Sequence, residues 1–178
     1  MTKIIAVGVI ALLCISSLVL NQNKPKLKIT KNTINLEFSP EKISAGINKD
    51  FSVKMVVKPS ADTVLRGYET KINFDKTKIA FKSIKYLAGS VSKGLGDTNE
   101  QTSEINGVGN IKIIGEFQSV DGYPLTSKNN TEIIVLTFTI LKKTPASINF
   151  GDSSFYSLNP DSSLYNGWVF TKNTLRVN

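Results

Sequence analysis

The chain has 178 residues, with 22 Lys or Arg against 14 Asp or Glu, a formal net charge of +8, one Cys and no His. Without His there is no Ser-His-Asp or Cys-His nucleophile system, no His general base and no His-ligated zinc, and one Cys excludes an intrachain disulfide or a Cys-rich cluster. The length suits one domain with a short appendage, and 40% apolar with 20% charged residues suits a folded chain.

Residues 4–20 form an uncharged run of apolar and small residues. As a helix this run spans about 25 Å, close to the thickness of a bilayer core. Residues 1–23 are therefore expected to be a signal-anchor or transmembrane segment, the one hydrophobic helix of the chain. A cleaved secretory signal is the competing reading, although its best site, after Ile15-Ser16-Ser17, is poor. Cys14 lies in the middle of the run behind Leu13, which argues against a lipobox. Residues 24–33 read as a Lys-rich linker holding Lys24, Lys26, Lys28 and Lys31. Positive-inside counting would keep the large domain in the cytoplasm, but that rule is weak for long translocated domains. The expected location is the cell membrane with the domain outside, or secretion if the segment is cleaved.

Residues 1–33 hold five Lys and no acid, so the remainder carries 17 basic and 14 acidic residues and is nearly balanced. Arg66 and Arg176 are the only Arg, and no basic cluster supports nucleic-acid binding.

From residue 34 onward β-branched residues and period-2 alternation predominate, and turn residues separate the runs. Strands are expected near 34–38, 51–58, 67–74, 78–85, 102–106, 110–117, 132–141, 147–150 and 172–177. In 68–74, Tyr68, Thr70, Ile72 and Phe74 face one way and Glu69, Lys71 and Asn73 the other. Ile114-Gly115 suggests a bulge. The run from Ile133 to Leu141 is the most apolar and is expected to be central and buried on both faces. Turns fall at Gly46-Ile47-Asn48, Pro59-Ser60-Ala61-Asp62, Asn106-Gly107, Asp121-Gly122 and Asn129-Asn130. The fold class is all-β: an antiparallel jelly-roll sandwich of about nine strands over 34–178, preceded by the N-terminal hydrophobic helix.

This order of elements resembles a bacterial cohesin module. The matching pieces are Leu36-Glu37-Phe38 with Asp50-Phe51-Ser52-Val53, then Gly67-Tyr68-Glu69-Thr70-Lys71-Ile72-Asn73-Phe74-Asp75 followed by Ile79-Ala80-Phe81. Ile133 to Ile140 with Ile148-Asn149-Phe150 matches the late core pair, and Asn173 to Val177 the last strand. Lys76 stands where the family usually has Pro, and 151–171 reads as a long insertion before the last strand. The resemblance implies a flat sheet face that receives a dockerin-like protein partner. Glu69 takes the place of an acidic contact on the third strand, with Lys71 and Asn73 on the same face. Outward strand residues are also polar simply because they meet water.

A second reading is a carbohydrate-binding module that recognises polysaccharide through aromatic residues of 155–168. Tyr156, Tyr165 and Trp168 would stack on sugar rings, with Tyr123 a further candidate. The same aromatics are equally suited to pinning a loop onto the sandwich. Asp97, Asn99, Glu100 and Glu104 near Gly94 and Gly96 offer oxygen ligands but lack the Asp-x-Asp-x-Asp-Gly spacing of a calcium loop. No carboxylate pair is singled out for glycoside hydrolysis. The chain is thus expected to bind without catalysing, with no metal and no cofactor. Asn129-Asn130-Thr131 matches an N-glycosylation triplet, a pattern that also arises by chance.

Overall fold

The alternating runs do form strands, in a computed structural model that describes residues 32–92, 99–142, 145–158, 164–165 and 167–178. The expected hydrophobic helix and the linker as far as Lys31 lie outside these residues, while Thr33, expected in the linker, already begins the first strand. Among the described residues thirteen strands and one helix occur in order. They are β1 (Thr33–Ser39), β2 (Lys42–Ile43), β3 (Asp50–Pro59), β4 (Thr63–Phe74), β5 (Ile79–Tyr86), β6 (Ser90–Ser92), α1 (Asn99–Val108) and β7 (Asn110–Phe117). Then come β8 (Tyr123–Leu125), β9 (Thr131–Ile140), β10 (Ala146–Leu158), β11 (Leu164–Tyr165), β12 (Val169–Lys172) and β13 (Thr174–Val177). The excess over the nine expected comes from short pieces of two to four residues.

One sheet runs β12-β1-β3-β9-β5, and the other β2-β13-β10-β4-β7-β6, with β11 and β8 on β10 and β4. The expected antiparallel pairing holds except at two places, where β12 joins β1 and β2 joins β13 in parallel. Both parallel pairs involve a chain end returning to an edge, so the sheets are mixed.

Inward residues of the two sheets meet in one core that includes Ile34, Leu36, Phe38, Val53, Met55, Ile72, Ile111, Ile113, Leu136 and Phe138. Phe138 collects three rings, with centroids 5.7 Å from Phe51, 5.5 Å from Phe74 and 5.8 Å from Phe81. Phe38 and Phe150 stack at 4.0 Å across the sandwich. Burying a side chain of this size contributes about 1.5–3 kcal/mol. Tyr68 is 1% exposed; its hydroxyl lies 3.3 Å from Ser90 Oγ, and burial pushes its phenol well above the ordinary value.

Several local expectations change. β9 is internal to its sheet but buried on one face only: Ile134, Leu136, Phe138 and Ile140 point inward, while Val135, Thr137 and Thr139 are partly exposed. Each sheet here has one face on the core and one toward water, which a run of apolar residues alone does not reveal. β7 pairs with β4 in unbroken register from Gly67↔Glu116 to Asn73↔Asn110, so Ile114-Gly115 is no bulge. Gly115 is there for space. Tyr68 lies opposite it, and a Cβ at Gly115 would sit 2.5 Å from Tyr68 Cε1. Most of the supposed insertion at 151–171 is strand, because β10 continues along β4 as far as Ser157 with register shifts at Phe150/Ser153 and Tyr156/Ser157.

The strand expected at 102–106 is instead the middle of α1. Its alternation rests on Ile105 alone, which a helix buries equally well. Asn106-Gly107 is accordingly helical rather than a turn. Gly109, with φ 76°, ends the helix and donates its N–H to Ile105 O at 2.8 Å, a conformation open to glycine at little cost. Helix α1 lies against the edge strand β5. Asn106 Oδ1 accepts the Phe81 N–H at 2.6 Å and its Nδ2 donates to Phe81 O at 2.9 Å, so one carboxamide takes the place of a neighbouring strand.

Gly115→Ala is expected to lower unfolding free energy by about 1–3 kcal/mol, the usual cost of overpacking, in chemical denaturation. Asn106→Ala should cost about 1–3 kcal/mol through two unsatisfied groups at Phe81, and add concentration-dependent light scattering from the opened edge. Asp50, Asp62 and Asp75 are held below the ordinary 3.8, chiefly by hydrogen bonds from Lys82, Ser127 and Thr77 respectively. A lowered folded-state value stabilises above the unfolded value and is lost as pH falls through the folded one. The thermal midpoint is therefore expected to be flat from about pH 5 to 8, with no His to titrate, and to fall below 3.8.

Candidate functional site

The two outer faces of the sandwich differ in how their polar groups are used. On the five-stranded sheet several outward groups answer one another. Lys54 Nζ meets Glu132 Oε1 at 2.8 Å, and Ser52 Oγ lies 3.0 Å from Thr137 Oγ1. Asp50 takes a hydrogen bond from Lys82 and another from Thr139 Oγ1 at 2.6 Å, which lower its pKa.

The other sheet presents a broader and less neutralised face. Alternation on β4 buries Tyr68, Thr70, Ile72 and Phe74 and turns Glu69, Lys71 and Asn73 outward, so the three residues named from the sequence do share one face. Register places Ile114, Lys112 and Asn110 of β7 beside them, with Asn149 and Ser154 of β10 opposite Asn73 and Glu69. Arg176 of β13 and Lys42 of β2 continue the face as a directly registered pair. Lys112 Nζ reaches diagonally to Glu69 Oε1 at 2.9 Å.

At the other end of this face the loop 118–122 forms a rim. Arg66 Nη1 donates to Ser119 O at 2.9 Å and also to Val120 O, which fixes the loop while Val120 remains 84% exposed. A shallow concavity lies between this loop and Val91 and Glu116.

The aromatic alternative fares differently. Trp168 is 8% exposed and belongs to the core, and Phe155 is fully buried, stacked 5.6 Å from Tyr68 and 5.4 Å from Phe170. Tyr123 stacks on Phe117 at 5.1 Å. Tyr156 is 36% exposed, and the Tyr165 side chain lies outside the described residues. Phe155, Trp168 and Phe170 pack β10 and the stretch from Gly167 onward onto the sandwich, and among the described residues the named aromatics make no pair of exposed coplanar rings. The sugar-stacking reading is therefore not favoured.

Among the described residues no group of three or more His, Cys, Asp or Glu is placed to hold a metal ion. Of the calcium candidates, Glu104 is exposed on α1, whereas Asp97 and the side chains of Asn99 and Glu100 lie outside the described residues. Asn129 is exposed in the turn between β8 and β9, its N–H on Thr126 O at 3.3 Å.

Sequence reasoning missed Lys112, Arg176, Arg66 and Val120 on or beside this face. The alternation Ile111-Lys112-Ile113 marks Lys112 as outward, but only strand register puts it opposite Lys71. Val120, flanked by Ser119 and Asp121, carries the weak signal of an apolar residue in a polar turn.

The family model for the cohesin domain matches residues 36–164, well over half of the chain. No curated protein matches it. Among solved structures the chain is similar to the seventh ScaB type I cohesin of Pseudobacteroides cellulosolvens. Identity is 16% and TM-score 0.57, covering 82% of this chain and 92% of that one. It is also similar to the sixth cohesin of scaffoldin B from Acetivibrio cellulolyticus, solved in complex with a mutant Cel5 dockerin. Here identity is 14% and TM-score 0.57, covering 82% and 98%. A non-cellulosomal cohesin from the archaeon Archaeoglobus fulgidus matches at 12% identity and TM-score 0.53, covering 83% and 91%. The sandwich, its strand order and the family match together place this chain in the cohesin domain family.

Proposed function

We propose that the chain is a non-catalytic docking module that receives a dockerin-type protein on the outer face of the sheet built from β10, β4, β7 and β6. The observation that carries this is the contrast between the two outer faces. The five-stranded sheet ties Lys54 and Lys82 to carboxylates and leaves Lys58 and Lys85 scattered, whereas the other sheet sets exposed charges and amides in register across several strands, with Lys71 directly opposite Lys112. Several cohesins of the same fold were solved with dockerins bound, which supports a partner of that class. Glu69, Lys71 and Asn73 stand at the centre of this face, where charge sets orientation and encounter rate more than raw affinity.

The apolar run at 4–20 and the Lys-rich stretch after it support a tether. In this reading the domain stands outside the cell membrane and brings its partner to the surface. The expected topology is an N-terminal anchor over 1–23 and a spacer over 24–33.

The test is binding of the full chain to a panel of recombinant dockerin modules by biolayer interferometry. Ser154→Trp, which raises a large ring from the proposed face, is expected to weaken binding by about tenfold or more, or about 1.4 kcal/mol. Ser52→Trp, on the opposite outer face, should leave affinity unchanged. Equal effects of the two, or a loss only with Ser52→Trp, would overturn the assignment of the face.

A further inference from the structure

Two lysines face each other in the middle of the proposed docking sheet. Lys71 of β4 and Lys112 of β7 are directly registered cross-strand partners, and both are exposed. Side chains in such positions have Cβ atoms about 4.5–5.5 Å apart, and like charges there destabilise a sheet. Glu69 relieves half of this arrangement, since its carboxylate sits 2.9 Å from Lys112 Nζ. Lys71 has no ion-pair partner among the described residues.

The strand on the other side of Lys71 packs close against it. Gly151 of β10 carries no side chain, and a Cβ there would lie 3.1 Å from Lys71 Cβ and 2.9 Å from Asn73 Nδ2. The Lys71 stem and the Asn73 amide thus lie directly over Gly151, which holds Lys71 on the β7 side of β4. Further along the same face Arg176 and Lys42 form another registered pair of cations. Among the described strand residues of this sheet the acidic ones are Glu69, already engaged with Lys112, Glu116 toward the Val120 rim and Asp152 at the β10 irregularity, with Glu41 next to Lys42 just before β2. On the outer face of the opposite sheet Lys54 and Lys82 each meet a carboxylate, and Lys58 and Lys85, unpaired among the described residues, are registered with Asn35 and Val135 rather than with another cation.

We infer that the partner docking on this face is an acidic one, which delivers a carboxylate to the space between Lys71 and Lys112 and further negative charge toward Arg176 and Lys42. This rests on the docking reading above and adds the chemistry of the partner. A carboxylate between the two ammonium groups replaces repulsion with two attractive contacts, so the fold gives up some stability that the complex recovers.

The experiment compares two versions of one dockerin, differing only in whether its docking surface carries added Glu or added Lys, each titrated against the full chain. The acidic version is expected to bind about tenfold tighter, chiefly through a faster association rate. The advantage should vanish at about 1 M salt, where the Debye length is about 3 Å. Lys71→Glu combined with Lys112→Glu should reverse the preference, and Lys85→Glu on the other sheet should not. Lys71→Gln should weaken the acidic dockerin while leaving the thermal midpoint equal or higher, a pattern that a purely structural lysine would not give. Equal binding of the two versions, or tighter binding of the basic one, overturns the inference and leaves the docking face standing. Failure of both to bind at any salt overturns the docking reading and the inference with it.

Discussion

The register of β4 between β10 and β7 is the constraint on which the rest depends. This twelve-residue strand commits Tyr68, Thr70, Ile72 and Phe74 to the core, and the period of two then sends Glu69, Lys71 and Asn73 to the surface. A slip of one residue would exchange the two sets and expose Tyr68, so the cost of burying that ring also fixes the composition of the outer face. Gly115 participates directly, because only a residue without a side chain lets β7 lie flat under Tyr68. The buried hydroxyl pair of Thr70 and Ser153, 2.8 Å apart, joins β10 on the other side. Core packing and surface chemistry are thus two readings of a single alignment.

Much of this is visible in the residues. Alternation in 51–57, 68–74 and 111–117 marks the strands and their inner faces, because each carries polar and apolar residues in turn. It fails for 102–106, where one apolar residue, Ile105, fits a helix as well as a strand. It fails in another way at 133–141, where apolar character suggests two-sided burial although β9 has one watered face. Edge pairing escapes it entirely, since the parallel partners of β1 and β13 are chosen by where the chain ends return. The individual site residues on β4 emerge from alternation, but their neighbours do not. Nothing local in Lys112 or Arg176 reveals which strand lies beside it, and the Lys71–Lys112 confrontation exists only once register is known. Trp168 and Phe155 are legible as aromatic and not as buried, because a ring that packs and a ring that stacks on a ligand look the same in one dimension.

Electrostatics separates the two faces more sharply than shape does. Both sheets present polar outer surfaces, as any water-facing sheet must. On the five-stranded sheet Lys82 and Lys54 answer Asp50 and Glu132, which lowers the pKa of Asp50, while Lys58 and Lys85 stand without an ion pair among the described residues. On the other sheet the same residue types are arranged so that the fold cannot neutralise them all. Exposed ion pairs contribute little stability, about 0–1 kcal/mol each, so the difference hardly affects folding. Its effect lies in the pattern of charge that each face presents to water.

The treatment of the sheet edges bears on how such a module can change over time. β5 is shielded by α1 through Asn106, and the remaining edges end in β12 of four residues, β6 of three and β2 of two. With little free backbone to offer, the domain is poorly suited to recognition by strand addition, in which main-chain hydrogen bonds supply affinity to many sequences alike. Recognition is left to side chains standing on a rigid pleat, each replaceable without disturbing the core beneath. A new partner preference can then arise by single substitutions on the outer rows, and two copies of the fold can diverge in specificity while remaining superimposable.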